Sequence, residues 1–391
     1  MKIGFDAKRA AQNRTGLGNY SRFVIRILSE QKSSDNYHLY MPSAGRVPFL
    51  GEIPTLSELS LHFPPHGLWS KFSSLWRVWG MTKNIEKDGM QIFHGLSNEL
   101  PLNIGSPEER ERKLGDNRCR YIVTLHDLIF RHTPQYYHWI DRKIYDFKFR
   151  KACQQADRII AVSQFTKLEL MHYYHTPEEK IDVVYQGCDP VFAKDIEAEK
   201  LQQVKEKYAL PQRFVLFVGS IEERKNLMLV AKAMKIMKEN AEGEDIHVVA
   251  VGKHTPYVDK IEDYLQQNGL QHLFHFHHHV PYEDLPAFYK LATVFAYPSR
   301  IEGFGIPLLE AITSGVPAIG CTGSCLEEAG GPDSLYVGPD DAQNMASSIL
   351  RICSDANMRR RMIDSGKEYA RRFSDENLFQ QLAEVYRKAM R

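Results

Sequence analysis

A long hydrophobic run is the first feature that this sequence lacks. No uninterrupted apolar stretch approaches the roughly 18 to 20 residues needed to cross a bilayer. The apolar stretch in residues 1–6 is too brief for the hydrophobic region of a signal peptide. These absences argue against a membrane-spanning or secreted protein, and we therefore expect a cytoplasmic one.

The sequence also lacks an excess of either sign of charge, and it has few cysteines. Fifty Lys and Arg residues stand against 49 Asp and Glu, so the formal net charge is +1 and no overall field draws the protein to nucleic acid. Among the six cysteines the only close pair, Cys321 and Cys325, lacks the second pair expected of a zinc site. We expect reduced, structural thiols and no nucleic-acid partner.

Length and composition indicate a globular protein of two domains. Single hydrophobic cores stop growing at roughly 250 to 300 residues, whereas this chain has 391 residues, 43% of them hydrophobic and 25% charged. Short β-branched or apolar runs alternate with helical patterns, which is typical of βα units around a parallel sheet. The predicted strands cover residues 2–5, 37–40, 91–93, 121–125, 158–161 and 181–184, and then residues 214–218, 247–251, 273–277, 293–296, 318–320 and 335–337.

The alternation breaks across residues 186–208, where Gly187, Asp189 and Pro190 lead into a charged amphipathic stretch. We therefore predict an α/β protein with one domain in residues 1–190 and another in residues 191–373. A final helix in residues 374–391 carries an apolar stripe and is expected to pack back on the first domain. Residues 105–120 are rich in Glu and Arg without apolar periodicity, which predicts a solvated loop.

A glycine-rich turn in residues 298–311 gives the strongest indication of a ligand site. A predicted strand ends there and Pro307 suits the first turn of a helix, whose unpaired N–H groups and positive dipole end favour phosphate. Glu302 and Glu310 flank this helix start, and a carboxylate can accept both hydroxyls of a ribose. Without Gly303 and Gly305 between them, the two glutamates would indicate only a solvated face.

Two adjacent cations, Arg224 and Lys225, follow the first predicted strand of the second domain. Open α/β sheets bind ligands at the carboxyl ends of their strands, and a guanidinium fork beside a compact ammonium suits phosphate oxygens. The alternative is an ordinary surface pair.

Two weaker indications lie in the first domain. Residues 14–20 place Gly16 and Gly18 between a strand and a helix, where glycine permits close backbone approach to a ligand, although two glycines do not complete a dinucleotide fingerprint. His126 and Asp127 emerge from the carboxyl end of the strand at 121–125, and His94 is placed similarly. A buried, hydrogen-bonded histidine is the alternative for His126.

Together these motifs resemble glycosyltransferase family 4, the retaining enzymes of GT-B fold, over nearly the whole chain. The resemblance implies two Rossmann-like parallel-sheet domains that face each other across a cleft, and transfer of a sugar from a nucleotide diphosphate donor. It rests on the turn at Gly16 and Gly18, His126-Asp127, residues 161–163, Arg224-Lys225-Asn226, the pair Glu302 and Glu310, and residues 324–330.

The resemblance also implies a role for each motif. Arg224 and Lys225 would hold the diphosphate, and Glu310 would accept hydrogen bonds from the ribose hydroxyls. His126 would contact the sugar from the first domain. The implied catalytic residues are His126, Arg224, Lys225 and Glu302. The implied donor-binding residues are Gly16, Gly18, Asp127, Ser220, Arg224, Lys225, Glu302, Gly303, Phe304, Gly305, Ile306 and Glu310.

The chain departs from the family at Ser220, where relatives carry an arginine after the strand glycine. Neutralisation of the phosphate charge would therefore depend more on Arg224. The Arg-Lys-Asn variant is similar to a subgroup rich in bacterial mannosyltransferases, which favours mannose from GDP-mannose. No Asp-x-Asp triplet stands in a plausible loop, so we expect neither a metal nor a cofactor. On a strand, His275, His277 and His279 would lie on one face and His278 on the other. No acid or cysteine near them has the spacing of a zinc site, so the cluster gives only weak support for a metal.

The expected acceptor is a glycan or lipid-linked glycan of cell-surface polysaccharide synthesis. Trp69, Phe72, Trp76 and Trp79 recur at helical spacing and would form one stripe. Core packing is favoured for this stripe, and peripheral contact with the inner face of the membrane is the alternative. Other functions left open are a GT-B sugar-nucleotide epimerase, a glycan phosphorylase, for which no cofactor lysine is located, and a noncatalytic sugar-binding protein.

Overall fold

A computed structural model describes residues 1–13, 15–31, 34–43 and 48–391. They divide into two compact units, Met1–Gln186 with Asp375–Arg391 and, between these segments, Gly187–Ser374. The first unit therefore ends inside the stretch 186–208, and the predicted boundary after residue 190 falls at the start of the second unit. Residue 14 of the glycine turn lies outside the described residues.

The first unit is built on a parallel sheet. Its strands are β1 (Lys2–Asp6), β2 (Asn36–Tyr40), β3 (Ser60–His62), β4 (Ile92–Gly95), β5 (Arg120–Leu125), β6 (Arg158–Ala161) and β7 (Ile181–Val183), in the order β3-β2-β1-β4-β5-β6-β7. The central strands are buried on both faces, which is why they appear in the sequence as nearly continuous apolar runs.

Helices and short turns connect these strands. The helices of the first unit are α1 (Lys8–Gln12), α2 (Gly16–Ser29), α3 (Leu68–Lys71), α4 (Ser73–Leu75), α5 (Met81–Lys87), α6 (Pro107–Leu114), α7 (Ile129–His132), α8 (Trp139–Gln155) and α9 (Gln164–Tyr174). The chain order of the strands reverses between β1 and β4, and crevices at such a reversal are where open α/β sheets bind ligands.

The second unit repeats this architecture. Its strands are β8 (Phe214–Val218), β9 (His247–Val251), β10 (Phe274–His277), β11 (Val294–Tyr297), β12 (Ala318–Cys321) and β13 (Leu335–Val337), in the order β10-β9-β8-β11-β12-β13 and all parallel. Its helices are α10 (Ala198–Lys207), α11 (Leu227–Glu239), α12 (Pro256–Gln267), α13 (Leu285–Leu291), α14 (Ile306–Thr313), α15 (Leu326–Gly330), α16 (Ala342–Ser354) and α17 (Ala356–Ala370). The order reverses here between β8 and β11.

The segment predicted as a loop at residues 105–120 contains the helix α6, so that prediction is wrong. Ser106 Oγ accepts a hydrogen bond from the Glu109 N–H at 3.3 Å, and Glu109 Oε2 accepts one from the Ser106 N–H at 2.9 Å. Pro107 occupies the first turn. A capping box, rather than an apolar stripe, therefore starts this helix.

The aromatic residues predicted to form one helical stripe lie in several short elements, so that prediction is also wrong. A π-helical segment, Trp76–Gly80, follows α4 and leads into α5, and its wider turn breaks the 3.6-residue period. Trp76 is fully buried, and Trp69 packs against the same core. Phe72 and Trp79 are about half exposed.

The helix α18 (Asp375–Met390) completes the first unit although it follows the second unit in the chain. Tyr386 Oη lies 2.8 Å from His94 Nδ1, and His94 Nε2 lies 2.8 Å from Thr124 Oγ1. Burial lowers the pKa of His94 to about 3, so its ring is neutral. His94 therefore fixes the helix to the sheet, and both of its ring nitrogens have partners.

We predict that Tyr386→Phe lowers the free energy of unfolding by about 1 to 3 kcal/mol, because it leaves a buried imidazole nitrogen without its partner. Chemical denaturation measures the change. Tyr264→Phe is the matched control, since the Tyr264 hydroxyl makes no hydrogen bond with the described residues. Equal stability of the two variants would contradict the role of the His94 contact.

Candidate active site

The predicted cations of the second unit lie where β8 ends. Gly219 follows β8 with φ +143°, and Arg224 and Lys225 form a short 3₁₀ turn before α11. Asn226 stabilises this turn, since its buried amide donates to the carbonyls of Pro298 and Pro339 at 3.2 and 2.7 Å. The segment after β8 is thereby attached to the segment after β11.

The Glu302 carboxylate is the centre of this region. Its Oε1 accepts hydrogen bonds from Arg224 Nη1 at 2.7 Å, Tyr297 Oη at 2.9 Å and Ser299 Oγ at 2.8 Å. Lys225 Nζ donates to Tyr297 Oη at 2.9 Å. Burial alone would raise the pKa of Glu302, but Lys225 and Arg224 hold it below its usual value, so this carboxyl is ionised at neutral pH.

Several polar atoms of this network keep free bonding capacity. Arg224 Nη1 also donates to the Ile301 carbonyl at 2.7 Å. Within the described chain its Nε and Nη2 make no hydrogen bond, although Nη2 lies 3.9 Å from Glu222 Oε2 in a long ion pair. Lys225 keeps donors beyond the one given to Tyr297. Glu302 Oε2 likewise accepts nothing from the described residues. A fixed carboxylate thus presents one unused oxygen beside two cations with unused donors.

The glycine-rich turn leads into α14 as predicted, although the helix begins at Ile306. Gly305 adopts φ +113°, and a Cβ there would lie 2.7 Å from Leu326 Cδ2. The N–H groups of Gly303, Gly305 and Ile306 donate to no group of the described chain. They form an anion-binding helix start of the kind that accepts phosphate.

Cys325 lies in the segment 324–330 named for the resemblance, and it holds this turn in place through contacts that the sequence did not specify. Its thiol donates to the carbonyls of Glu302 and Phe304 at 3.0 and 3.1 Å. Cys325 is fully buried. These contacts hold the carbonyls of the turn against Cys325.

Glu310 lies one turn into α14. Its Oε2 accepts a hydrogen bond from Tyr289 Oη at 2.7 Å, and its Oε1 has no partner among the described residues. Burial raises the pKa of this carboxyl to about 7, since the Tyr289 hydrogen bond opposes burial only in part. Tyr289, Tyr297 and Ser299 were not among the predicted site residues, although Ser299 lies in the turn at residues 298–311 and Tyr297 lies at the carboxyl end of β11.

The remaining predicted residues lie in the first unit. His126 is 5% exposed, its Nε2 lies 2.9 Å from the Leu96 carbonyl, and its Nδ1 lies 3.3 Å from Gln186 Nε2. Burial lowers its pKa to about 4. The structure therefore places His126 as a neutral, hydrogen-bonded ring, and its contact with a sugar stays a prediction.

The two glycines of the first turn differ in their surroundings. A Cβ on Gly18 would lie 1.7 Å from the Asn13 carbonyl oxygen, so the packing of α2 requires glycine there. Gly16 is exposed, and a Cβ there would meet nothing within 4 Å. The predicted donor contacts of both residues, and of Ser220 after Gly219, stay predictions.

A cavity of about 190 Å³ opens at the carboxyl ends of β1, β4 and β5. Arg9 and Asp127 contribute charge to its lining, and no hydrogen bond or ion pair uses the Arg9 guanidinium within the described chain. Its walls combine this charge with aromatic rings: the lining residues are Arg9, Leu17, Ser97, Asn98, Glu99, Asp127, Phe130, Tyr137, Tyr145, Lys148 and Phe149.

Buried ion pairs fix one wall of this cavity. Arg77 donates to Asp6 Oδ2 and Glu99 Oε2, both at 2.7 Å, and Lys148 Nζ donates to Glu99 Oε1 at 3.0 Å. Burial alone would raise the pKa of Glu99, but Arg77 and Lys148 lower it to about 2. Glu99 is therefore ionised, and Arg77 and Lys148 balance its charge. Asp127 and Arg9 are then the remaining charges in the lining of the cavity.

Two histidines near β10, His275 and His278, have hydrogen-bond partners in the second unit, whereas the buried Nε2 of His277 has none among the described residues. His247 Nδ1 lies 3.0 Å from His275 Nε2, and His278 Nδ1 lies 2.9 Å from the Gly252 carbonyl. Across the part of the chain that the structure describes, no three His, Cys, Asp or Glu side chains are grouped as a metal site requires. No helix in that part is long and apolar enough to cross a membrane.

Known proteins resemble this chain in sequence and in fold. The family described as Glycosyltransferase Family 4 matches residues 22–192, and the family described as Glycosyl transferases group 1 matches residues 199–369. The chain is 30% identical over 405 residues to O-antigen chain mannosyltransferase B of Escherichia coli, a match that covers 99% of this chain and 100% of that protein.

Solved structures show the same fold. Sucrose-phosphate synthase of Thermosynechococcus elongatus has a TM-score of 0.76 at 18% identity, covering 99% of this chain and 98% of that one. Anabaena HepE in complex with UDP and glucose has a TM-score of 0.73 at 16% identity, covering 99% and 100%. The two parallel sheets are of the GT-B type, and the two family matches together with the similarity over the whole chain define a glycosyltransferase. The chain belongs to glycosyltransferase family 4.

We predict that affinity for a nucleoside diphosphate falls as the pH drops below 7, with Glu310 alone contributing up to about tenfold per pH unit, because we expect the ribose hydroxyls to donate to its ionised form and its proton must first leave. Calorimetric titration with GDP between pH 5.5 and 8.5 measures the slope. Glu310→Gln is the control, since it retains only the titration of the nucleotide phosphate, whose second pKa is about 6. Identical slopes in the two proteins would contradict the assignment.

Proposed function

We propose that this chain transfers mannose from GDP-mannose, with retention of anomeric configuration, to a glycan or lipid-linked glycan during synthesis of a cell-surface polysaccharide. The similarity over the whole chain to an O-antigen chain mannosyltransferase supports the sugar and the pathway class. The observation that carries the proposal is the Glu302 network, which positions Arg224 and Lys225 beside the start of α14.

The chemistry of sugar transfer requires such a site. Breaking the anomeric bond places negative charge on the departing diphosphate and positive charge on the sugar. The unused donors of Arg224 and Lys225, with the N–H groups of Gly305 and Ile306, would neutralise the diphosphate. Donors fixed before the reaction do not have to reorganise during it, which is the main source of electrostatic catalysis.

Glu302 would position the sugar. Its Oε1 is held by three hydrogen bonds, so its Oε2 has a defined place from which to accept one from a sugar hydroxyl. We name no enzyme nucleophile, and we propose attack of the acceptor on the face that the diphosphate leaves. Because two cations and a helix start supply positive charge, we further propose that the reaction needs no divalent metal.

The donor and the stereochemistry can be tested together. We expect GDP to raise the melting temperature more than UDP, ADP or dTDP, because a ligand that binds only the folded state stabilises it. Transfer from GDP-mannose to a mannose-terminated oligosaccharide should persist in EDTA and give the α-anomer by proton NMR. A β-linked product would contradict retention, and inversion at C2 of the donor sugar would indicate an epimerase.

We predict that Lys225→Met lowers kcat about 10²- to 10³-fold, as expected when one fixed donor to a developing anion is lost. Initial rates with GDP-mannose at saturating acceptor measure the change. Lys235→Met, at a partly exposed position of α11 where the lysine pairs with Glu239, should leave kcat unchanged. Similar rates for Lys225→Met and the wild type would refute the diphosphate role.

We also propose that the cavity of the first unit receives the acceptor saccharide. Arg9 can donate to sugar hydroxyls and Asp127 can accept from them. Tyr137 and Tyr145 pack edge to face with ring centroids 6.2 Å apart, and aromatic walls suit the apolar C–H faces of a pyranose. This mixture of ring faces and polar atoms fits a carbohydrate better than a lipid chain.

We predict that Tyr137→Ala raises KM for the acceptor roughly three- to tenfold, the loss expected for one ring contact. Donor hydrolysis without acceptor should not change. Tyr136→Ala is the control, because Tyr136 is adjacent in sequence but does not line the cavity. A parallel loss of donor hydrolysis, or an equal effect of the control, would contradict acceptor binding in this cavity.

A further inference from the structure

The helix α8 exposes an unusual amount of apolar surface. Trp139 is 68% exposed, Ile140 53%, Ile144 45% and Phe147 49%. Large exposed apolar patches on folded proteins commonly mark interaction surfaces. None of these four side chains lines the cavity of the first unit.

These side chains share one side of the helix. At 100° per residue, Trp139, Ile140, Ile144 and Phe147 lie within an arc of about 140°. The opposite side packs into the core through Phe149, Ala152 and Cys153. Because apolar residues occupy both sides of α8, its sequence shows no single stripe, and this exposed arc was not recognised from the sequence.

The charges on the same arc are positive. Lys143, Arg150 and Lys151 fall between the apolar side chains on the helical projection, and neither lysine has a hydrogen bond or ion pair within the described chain. Asp141 lies outside the arc. Asp146 lies at its edge, where its carboxylate is engaged by Arg131, Arg150 and Tyr174. The arc thus combines bulky apolar groups with uncompensated positive charge.

We propose that this arc, defined by Trp139, Ile140, Lys143, Ile144, Phe147 and Lys151, docks the protein on an anionic lipid surface. Helices that lie in the plane of a membrane interface insert aromatic and aliphatic side chains while lysines contact anionic headgroups. The proposal does not depend on which sugar is transferred.

Charge complementarity favours lipid over a second copy of this chain. A symmetric dimer would place the same patch of each subunit against the other. The unpaired Lys143 and Lys151 of both copies would then face like charges across an apolar contact, where desolvation makes repulsion costly. Anionic headgroups compensate those charges instead.

The other exposed aromatic pair of the first unit lacks this arrangement. Phe72 and Trp79 are exposed, but Arg77 between them is buried in ion pairs with Asp6 and Glu99. Membrane contact through residues 69–79 alone therefore has less support than contact through the α8 arc. The pair provides a matched control, because it offers equally large rings on the same unit.

Flotation with lipid vesicles tests the proposal. We expect the purified full chain to float with vesicles of phosphatidylcholine and phosphatidylglycerol, and to float less at high salt and with phosphatidylcholine alone. The double variant Trp139→Glu, Phe147→Glu should bind at least about tenfold more weakly, because two inserted rings are lost. Lys143→Gln, Lys151→Gln should remove most of the salt dependence.

The control variant Phe72→Glu, Trp79→Glu should partition within about twofold of the wild type, and circular dichroism melting verifies that each variant is folded. Equal losses of vesicle binding in the arc and control variants would overturn the proposal. A wild-type protein that does not bind anionic vesicles would also overturn it. Light scattering that shows a dimer broken by Trp139→Glu, Phe147→Glu would identify a second copy as the occupant and also overturn it.

Discussion

The geometry of the donor site depends on one buried carboxylate. An ionised side chain removed from water is stable only when charge and hydrogen bonds compensate it. Glu302 satisfies that condition by drawing Arg224 from the segment after β8 and Tyr297 and Ser299 from the end of β11. The same bonds hold Arg224 and Lys225 where the strand order reverses. The hydrogen bonds that stabilise the buried Glu302 carboxylate therefore also position the cations that suit phosphate.

The two units use buried charge in different ways. In the second, the carboxylate leaves cationic donors and one of its own oxygens unused, which suits a charged ligand. In the first, Arg77 and Lys148 neutralise Glu99, so the remaining charge in the lining of the cavity comes from Arg9 and Asp127. The proposed diphosphate and saccharide sites would use these two kinds of surface respectively.

Much of the fold followed from the sequence because parallel strands buried on both faces are nearly continuous apolar runs. The strands at 158–161, 214–218, 247–251 and 335–337 have their predicted bounds. The strand β3 was missed, since three largely solvent-facing edge residues carry no such run. The helix α6 was missed because a capping box, and not periodicity, defines it.

The grouping of side chains was predictable where glycines and charges follow strands, as at Gly305, Arg224, Lys225 and Glu302. It was not predictable where contacts join distant segments. Cys325 and Tyr289 touch the site only through tertiary packing. The aromatic spacing of residues 69–79 suggested one helix, but a π turn redirects its rings, and the exposed arc of α8 is hidden in the sequence by the buried face opposite it.

The position of α18 has a consequence for biosynthesis. Residues of the first unit leave the ribosome in order, but its last helix is translated only after the entire second unit. Until then the imidazole of His94 lacks the hydroxyl of Tyr386 and the surface of the sheet beneath that helix is uncovered. Domains commonly fold as they are synthesised, amino-terminal part first. Here the unit that begins first is completed last, and its nascent form must remain in an unfinished state while its neighbour folds.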